Sequence, residues 1–426
     1  MAGKIREELL HYIWKLQSFD QSNLSTTDGL SLDILHPGQH NHDAGPDFLN
    51  AKIEIGGTTW VGHIELHIKS SDWLRHRHDE DQAYQNVILH VVKEYDSPIH
   101  RTDGTTIPTL EIGQKLSSRM ISRYLQLRHH QKWIPCESHI CEVSDITIAS
   151  TLDKAITQRL SEKSKELSQL LQDFKQDFNK LIYHRLAWSF GLRVNAEAFG
   201  RLAALCPYHI IQKHIDQPHH IEALYFGQSG LLPSDSDDTY VNILIREYSF
   251  LQQKFGLTQM AKVEWKYARL RPANFPTIRI AQFASFIKNS GNLEDLILKK
   301  STDFIIKSLD VTVDDYWQHH YKFNKASESR IKKIGQDTRR NIIINAVATL
   351  LFMYGEVRDS QVHKNRALAL LESLPSEHNS IIKKWNDLGI TSNTALTSQA
   401  LLQLKKKDCD NHGCLSCPVG HQIMSS

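Results

Sequence analysis

Residues 44–92 read AGPDFLNAKIEIGGTTWVGHIELHIKSSDWLRHRHDEDQAYQNVILHVV. From Thr59 to Lys69 the residues alternate strictly, which is the period of a β-strand. One side of that strand carries Val61, His63, Glu65, His67 and Lys69; the other carries Trp60, Ile64, Leu66 and Ile68, an expected core face. Upstream, Phe48–Ile55 alternates in the same way, and Gly56-Gly57 closes the two runs into a hairpin. Downstream, Val87–Val92 is an apolar strand that runs through His90. A polar row on an otherwise buried strand needs a partner, and a divalent cation supplies one; a half-solvated antiparallel strand is the plainer alternative.

Working outward, residues 4–17 predict an amphipathic helix with Leu9, Leu10, Ile13 and Leu16 inward. Ser31–Leu35 reads as a short strand, Asp72–Asn86 as a loop with a short helix, and Ile107–Ile112 as a last strand. Beyond them, Leu116–Arg128 and Ile148–Asp173 are helical, the latter continuing to Phe190, and strand signals become scarce. The expected organisation is an α/β domain over 1–113, a linker with a cysteine pair over 114–147, a helical domain over 148–404 and a cysteine-bearing tail over 405–426.

Composition sets outer bounds. A chain of 426 residues with 40% hydrophobic and 23% charged residues builds two or three globular domains. No run approaches a membrane span and the first residues lack a signal-peptide core, so a cytoplasmic protein is expected. A formal net charge of +2 leaves nucleic-acid binding to local patches. Six cysteines over this length are too few for a disulfide scaffold, and clustered ones point to metal.

Pro46-Asp47 at a strand start, with Glu65-x-His67 on the next strand and this order of elements, resembles the PD-(D/E)XK nuclease superfamily. The resemblance implies a restriction-endonuclease-like mixed sheet in which two acids, Asp47 and Glu65, hold Mg²⁺ or Mn²⁺, and in which a lysine activates water. His67 stands where that lysine belongs, and a histidine carries no permanent charge near neutral pH. Lys69, two positions on, is the candidate replacement for the ammonium, and Glu7 or Glu8 for an additional helix carboxylate. Taken singly, His36, His40, His42, His63, His76, His78, His90 and His100 are ordinary surface or core histidines. The group His76-x-His78-x-x-Asp81 with Tyr84 follows the Glu65 strand directly, and beside Asp47 and Glu65 it gains a functional reading.

Two further patterns stand apart. Arg269, Arg271 and Arg279 surround a proline-fixed loop containing Phe275, a composition suited to phosphate and base contacts or, equally, to tying helices together. Gly335–Asn341, which opens an apolar helix, is better read as structural. Cys409-x₄-Cys414-x₂-Cys417, with Cys136-x₄-Cys141 earlier, offers ligands for zinc or an iron–sulfur cluster, while Cys206 reads as a core residue. GPDFLNAKIEI, WVGHIELHIKSSDW, RLRPANFPTIRIAQ and GCLSCPVG make nearly the whole chain similar to an uncharacterised bacterial protein family. The expected activity is a metal-dependent phosphodiesterase acting on DNA or RNA. The rivals are a non-catalytic nucleic-acid-binding or scaffold protein on a decayed nuclease fold, and a helical interaction protein that brings no metal ligands together.

Overall fold

The structure, a computed structural model, describes residues 5–101 and 103–426. The chain divides into two compact units, Met1–Leu152 with Leu404–Ser426 and Asp153–Gln403. The first unit opens with α1 (Glu7–Lys15), β1 (Leu32–His36), β2 (Gln39–His40), β3 (Phe48–Ile55) and β4 (Thr58–Lys69). It continues with α2 (Asp72–Arg75), β5 (Val87–Glu94), β6 (Thr109–Glu111) and α3 (Ser118–Arg128). These strands form one mixed sheet in the order β1-β3-β4-β5-β6, with β2 also on β3. The pairs β1–β3 and β3–β4 are antiparallel, whereas β4–β5 and β5–β6 are parallel.

Local chemistry accounts for this order. Gly56 and Gly57 both have positive φ, 56° and 80°, as a two-residue hairpin turn between β3 and β4 requires. After β4 the chain crosses over through α2 and returns as β5 in parallel, with Glu65 opposite His90. Gly62 admits that neighbour: a Cβ there would stand 2.4 Å from the Ile88 side chain and 2.6 Å from the Asn86 carbonyl. The end of β4 is tied down by Asp96, whose carboxylate accepts from the Ser70 and Ser71 hydroxyls. α1 lies on β4 with Leu9, Leu10, Ile13 and Trp14 buried.

The faces of β4 differ from the expected ones. Trp60 is 47% exposed, while Glu65 and His67, on the supposedly polar side, are 4% and 1% exposed. Pairing explains both: residues 58–61 have only β3 beside them, whereas β5 joins from His63 onward. The middle of β4 is therefore central in the sheet, and with α1 and α2 packed on the strand residues 64–67 are buried.

The second unit is mostly helical, from the body of α4 (Asp145–Asp173) to the helix Ala395–Gln403, with a small hairpin at His320–Lys322 and Lys325–Ala326. α4 does not continue to Phe190 as expected. Lys175 and Gln176 take positive φ, 54° and 64°, and a new helix, α5 (Phe178–Phe190), starts with Asp177 accepting from the Lys180 amide. Buried Phe190, Phe199, Tyr225, Phe283 and Phe286 form the aromatic centre of this unit. Among the described residues no helix is long and apolar enough to cross a membrane.

Residues 404–426 belong to the first unit rather than standing apart. The last helix, Pro418–Ser425, packs on α3; the His421 ring lies 5.0 Å from Tyr12, and Gln422 accepts from the Ser144 amide.

Candidate metal centre

Asp47 and Glu65 meet through a reciprocal pair of bonds. The Asp47 amide donates to Glu65 Oε2 at 3.0 Å, and the Leu66 amide donates to Asp47 Oδ2 at 2.9 Å. A register shift between Phe48 and Ala51 lifts the start of β3 away from regular pairing and brings Asp47 over Glu65. Burial pushes the Glu65 carboxyl up, and the neighbouring Asp47 charge pushes it the same way, against the pull of His78.

The helix residue that reaches this pair is His11, one turn beyond Glu7. Its Nε2 stands 3.1 Å from Asp47 Oδ2, close but not aligned as a hydrogen bond. The Asp47 contact and the charges of Asp47 and Glu65 together outweigh burial, so the His11 imidazole is held above its usual range. Glu8 instead faces Arg128 at 3.8 Å and is 64% exposed. No pattern in the sequence separates His11 from the other histidines; only the docking of α1 on β4 selects it.

On the other side of Glu65 three imidazoles converge. One ring nitrogen each from His67, His76 and His78 falls within 4.8 Å of the others. His67 Nε2 is 3.1 Å from His76 Nδ1, His78 Nε2 is 3.2 Å from Glu65 Oε1, and His67 Nε2 is 3.7 Å from the same oxygen. Behind them His67 Nδ1 bonds His90 Nε2 at 2.8 Å. Burial, then His90, His78 and His76, holds His67 far below the usual imidazole range, and burial pushes His90 down to about 3. Both rings are held neutral, and since the bond between them uses one of their two lone pairs, the other remains for a metal.

The spacing His76-x-His78 acquires its meaning from a turn. α2 ends with the His78 amide donating to the Trp73 carbonyl and the Arg77 amide to the Leu74 carbonyl, a Schellman closure with Arg77 in the left-handed region at φ 61°. That closure lets both flanking histidines reach His67. His78 stacks on Tyr84 at 3.9 Å, and Trp73 packs edge-on against His78 and His90.

Lys69 lies outside this set. Its ammonium contacts Glu94 at 3.1 Å and Asp96 at 3.9 Å and is 46% exposed, beyond the enclosed part of β4. Geometry thus brings Asp47, Glu65 and His67 together, adds His11, His76, His78 and His90, and leaves Lys69 paired elsewhere.

A family model described as a protein of unknown function, DUF2851, matches residues 7–380. The chain belongs to the DUF2851 family. No curated protein and no solved structure matches it. The family carries no reaction with it, so chemistry has to come from the residues.

In this DUF2851 protein the tail cysteines lie beyond the matched range. Cys409, Cys414 and Cys417 are half-buried, Cys136 is buried and Cys141 is exposed. Burial and then Cys417 and Cys414 push the Cys136 thiol up to about 12; burial and then Cys136, Cys417 and Cys414 raise Cys409 further. Cys136, Cys409, Cys414 and Cys417 are therefore electrostatic neighbours. Cys414–Ser416 forms a turn in which the Cys417 amide donates to the Cys414 carbonyl, and Gly420 presses on that carbonyl where a Cβ would come within 2.1 Å. Cys206 is a buried core residue, as its sequence context implies.

The arginine group separates. Arg279 is 5% exposed and donates to Gln282, Asn274 and Thr338, so it braces the interior and is not available to a nucleic acid. Arg269 and Arg271 are exposed. In the 335–341 segment Arg339 faces Asp310 at 3.6 Å and Arg340 faces Asp337 at 3.3 Å, local ion pairs that account for both. His219, Glu222 and Asp314 also gather in the helical unit, beside a cavity of about 330 Å³. There His219 pairs with Glu222 at 3.4 Å and Asp314 caps a short helix, so each has a local structural role.

Proposed function

We propose that this protein is a metal-dependent phosphodiesterase acting on nucleic acid. The observation that carries the proposal is the reciprocal Asp47–Glu65 pair: two carboxylates joined through backbone amides and flanked by imidazoles. Holding a buried carboxylate beside a second, half-buried one is costly unless a cation shares them. The donor set fits a divalent cation, with Asp47 and Glu65 as the carboxylate ligands. Such a cation supplies a hydroxide-like nucleophile at neutral pH and offsets the charge on the non-bridging phosphate oxygens.

The chain's own groups then divide the remaining work. His67 is enclosed and tied to His90, so it orients and ligates rather than exchanging protons with solvent. The place of the missing lysine is nearest to His11, whose Nε2 stands 3.1 Å from Asp47 Oδ2. Exposed Arg269 and Arg271 remain candidates for phosphate contacts. Cys136, Cys409, Cys414 and Cys417 are assigned to a structural thiolate centre, zinc or iron–sulfur, that staples the tail to the first unit.

The test is cleavage of labelled single- and double-stranded DNA and RNA with Mg²⁺ or Mn²⁺, beside Asp47→Ala and Glu65→Ala. Metal-dependent cleavage is expected, falling in both variants by about 10²–10³-fold, the equivalent of several kcal/mol. Absence of cleavage on every substrate, with salt-sensitive binding retained, would establish the decayed-fold binding protein instead.

A further inference from the structure

We infer that the first unit holds a transition-metal site made by His67, His76, His78 and Glu65, selective for a zinc-like dication over the Mg²⁺ that the nuclease resemblance implies. The inference deepens the metal assignment above, and it stands or falls separately from phosphodiester cleavage.

Ligand type is the first support. Mg²⁺ is a hard ion that takes oxygen ligands in near-ideal octahedral geometry and keeps much of its water. Imidazole nitrogen suits zinc, nickel, copper and iron. A site presenting three imidazoles and one carboxylate oxygen matches the second group.

Spacing is the second. A zinc–nitrogen distance of about 2.0–2.1 Å in a tetrahedron places neighbouring ligand atoms about 3.4 Å apart. Of the six ligand-to-ligand separations, three are 3.1 Å for His67 Nε2 to His76 Nδ1, 3.2 Å for His78 Nε2 to Glu65 Oε1, and 3.7 Å for His67 Nε2 to Glu65 Oε1, and one nitrogen from each of the three imidazoles lies within 4.8 Å of the others. These three bracket the tetrahedral edge, and side-chain rotation closes the remaining imidazole spacings. Hydrogen bonds and ion pairs hold these atoms at such spacings, and a tetrahedral dication would use the same ones.

Support from behind the ligands is the third. A ligating histidine usually engages a partner through its other ring nitrogen, which fixes the tautomer. His67 does so through Nδ1 to His90 Nε2 at 2.8 Å, within a wall completed by Trp73 and Tyr84. His90 is fully enclosed, and its Nδ1 finds no partner among the described residues. Glu65 is held in the same manner, its Oε2 fixed by the Asp47 amide while Oε1 faces the imidazoles. One edge of the Glu65 carboxylate thus serves Asp47 and the other serves the histidines.

The full-length protein, stripped with a chelator, is titrated with Co²⁺ as a spectroscopic probe. Visible bands of four- or five-coordinate cobalt are expected, displaced by Zn²⁺ and unaffected by a large excess of Mg²⁺. The thiolate charge-transfer band in the near ultraviolet reports any cobalt at the cysteines independently. His76→Ala, at an exposed position that leaves the fold intact, should weaken the visible-band affinity at least 10-fold, as should His78→Gln. The near-ultraviolet band should stay unchanged in both. Visible bands identical in the parent and both variants, or displaced by Mg²⁺, overturn the inference. Cobalt binding through these histidines without cleavage of any nucleic acid upholds the site and removes the phosphodiesterase. Mg²⁺-supported cleavage with no visible cobalt bands does the reverse.

Discussion

Arg77 shows how one strained residue serves the site. It holds φ at 61° between His76 and His78, a conformation that costs an L-residue about 1–2 kcal/mol. Arg77→Gly removes that cost and adds freedom to the unfolded chain, so a net gain of about 0.5–1 kcal/mol is expected in urea unfolding, with cobalt binding retained. A lower midpoint would mean that the arginine side chain itself holds the turn. In the helical unit, Lys163 is a second instructive residue. Burial, then Arg159 and Arg185, lowers its amine from 10.5 to about 7, with Nζ donating to Asn345 at 2.8 Å. Below pH 7 the amine is charged in both states, and the fold bears the whole desolvation cost. Between 7 and 10.5 the unfolded chain binds more protons, so stability rises with pH; above 10.5 the dependence vanishes. Lys163→Met should flatten that rise and stabilise the protein at pH 7 by about 1–4 kcal/mol. Melting temperatures across this range decide it, and an unchanged slope in the variant would exclude Lys163 as the source.

At the scale of elements, the cysteine-bearing tail gives the clearest test. If Cys136, Cys409, Cys414 and Cys417 form one thiolate centre, Cys414→Ser and Cys417→Ser should release bound metal measured by elemental analysis. They should also expose residues 404–426 to limited proteolysis. Cys141→Ser, at an exposed position, should change neither. Equal metal content in all three variants would dissolve the assignment. The β3–β4 hairpin is the other informative element. Its strand period, its Gly-Gly turn and even the bounds Phe48–Ile55 were legible in the chain, because alternation and turn chemistry act locally. Which face of β4 would be enclosed was not legible. Alternation marks a difference between faces, and the helices that pack on β4, α1 and α2, lie outside the alternating run.

Over the whole molecule, the amino-acid sequence by itself determined a great deal. It set a mixed α/β beginning followed by helices, the adjacency of Asp47 and Glu65 through a hairpin, the thiol-rich tail, and membership of a family spanning most of the chain. All of these rest on short-range periodicity or on motifs a few residues long. The long helix expected through Phe190 failed for an equally local reason, since two consecutive left-handed residues leave no trace in hydrophobic period. Only the tertiary structure decided which histidines matter. His11 comes from α1, His67 from β4, His76 and His78 from the turn after α2, and His90 from β5. Their convergence depends on helix docking, a Schellman closure and a parallel strand pairing. The same level decided that Lys69 turns to Glu94, that Arg279 is interior, and that Cys136 neighbours the tail cysteines. A side chain's partners across the fold depend on where whole elements come to rest. That placement is set by the summed packing of many apolar residues, and no spacing within a motif encodes it.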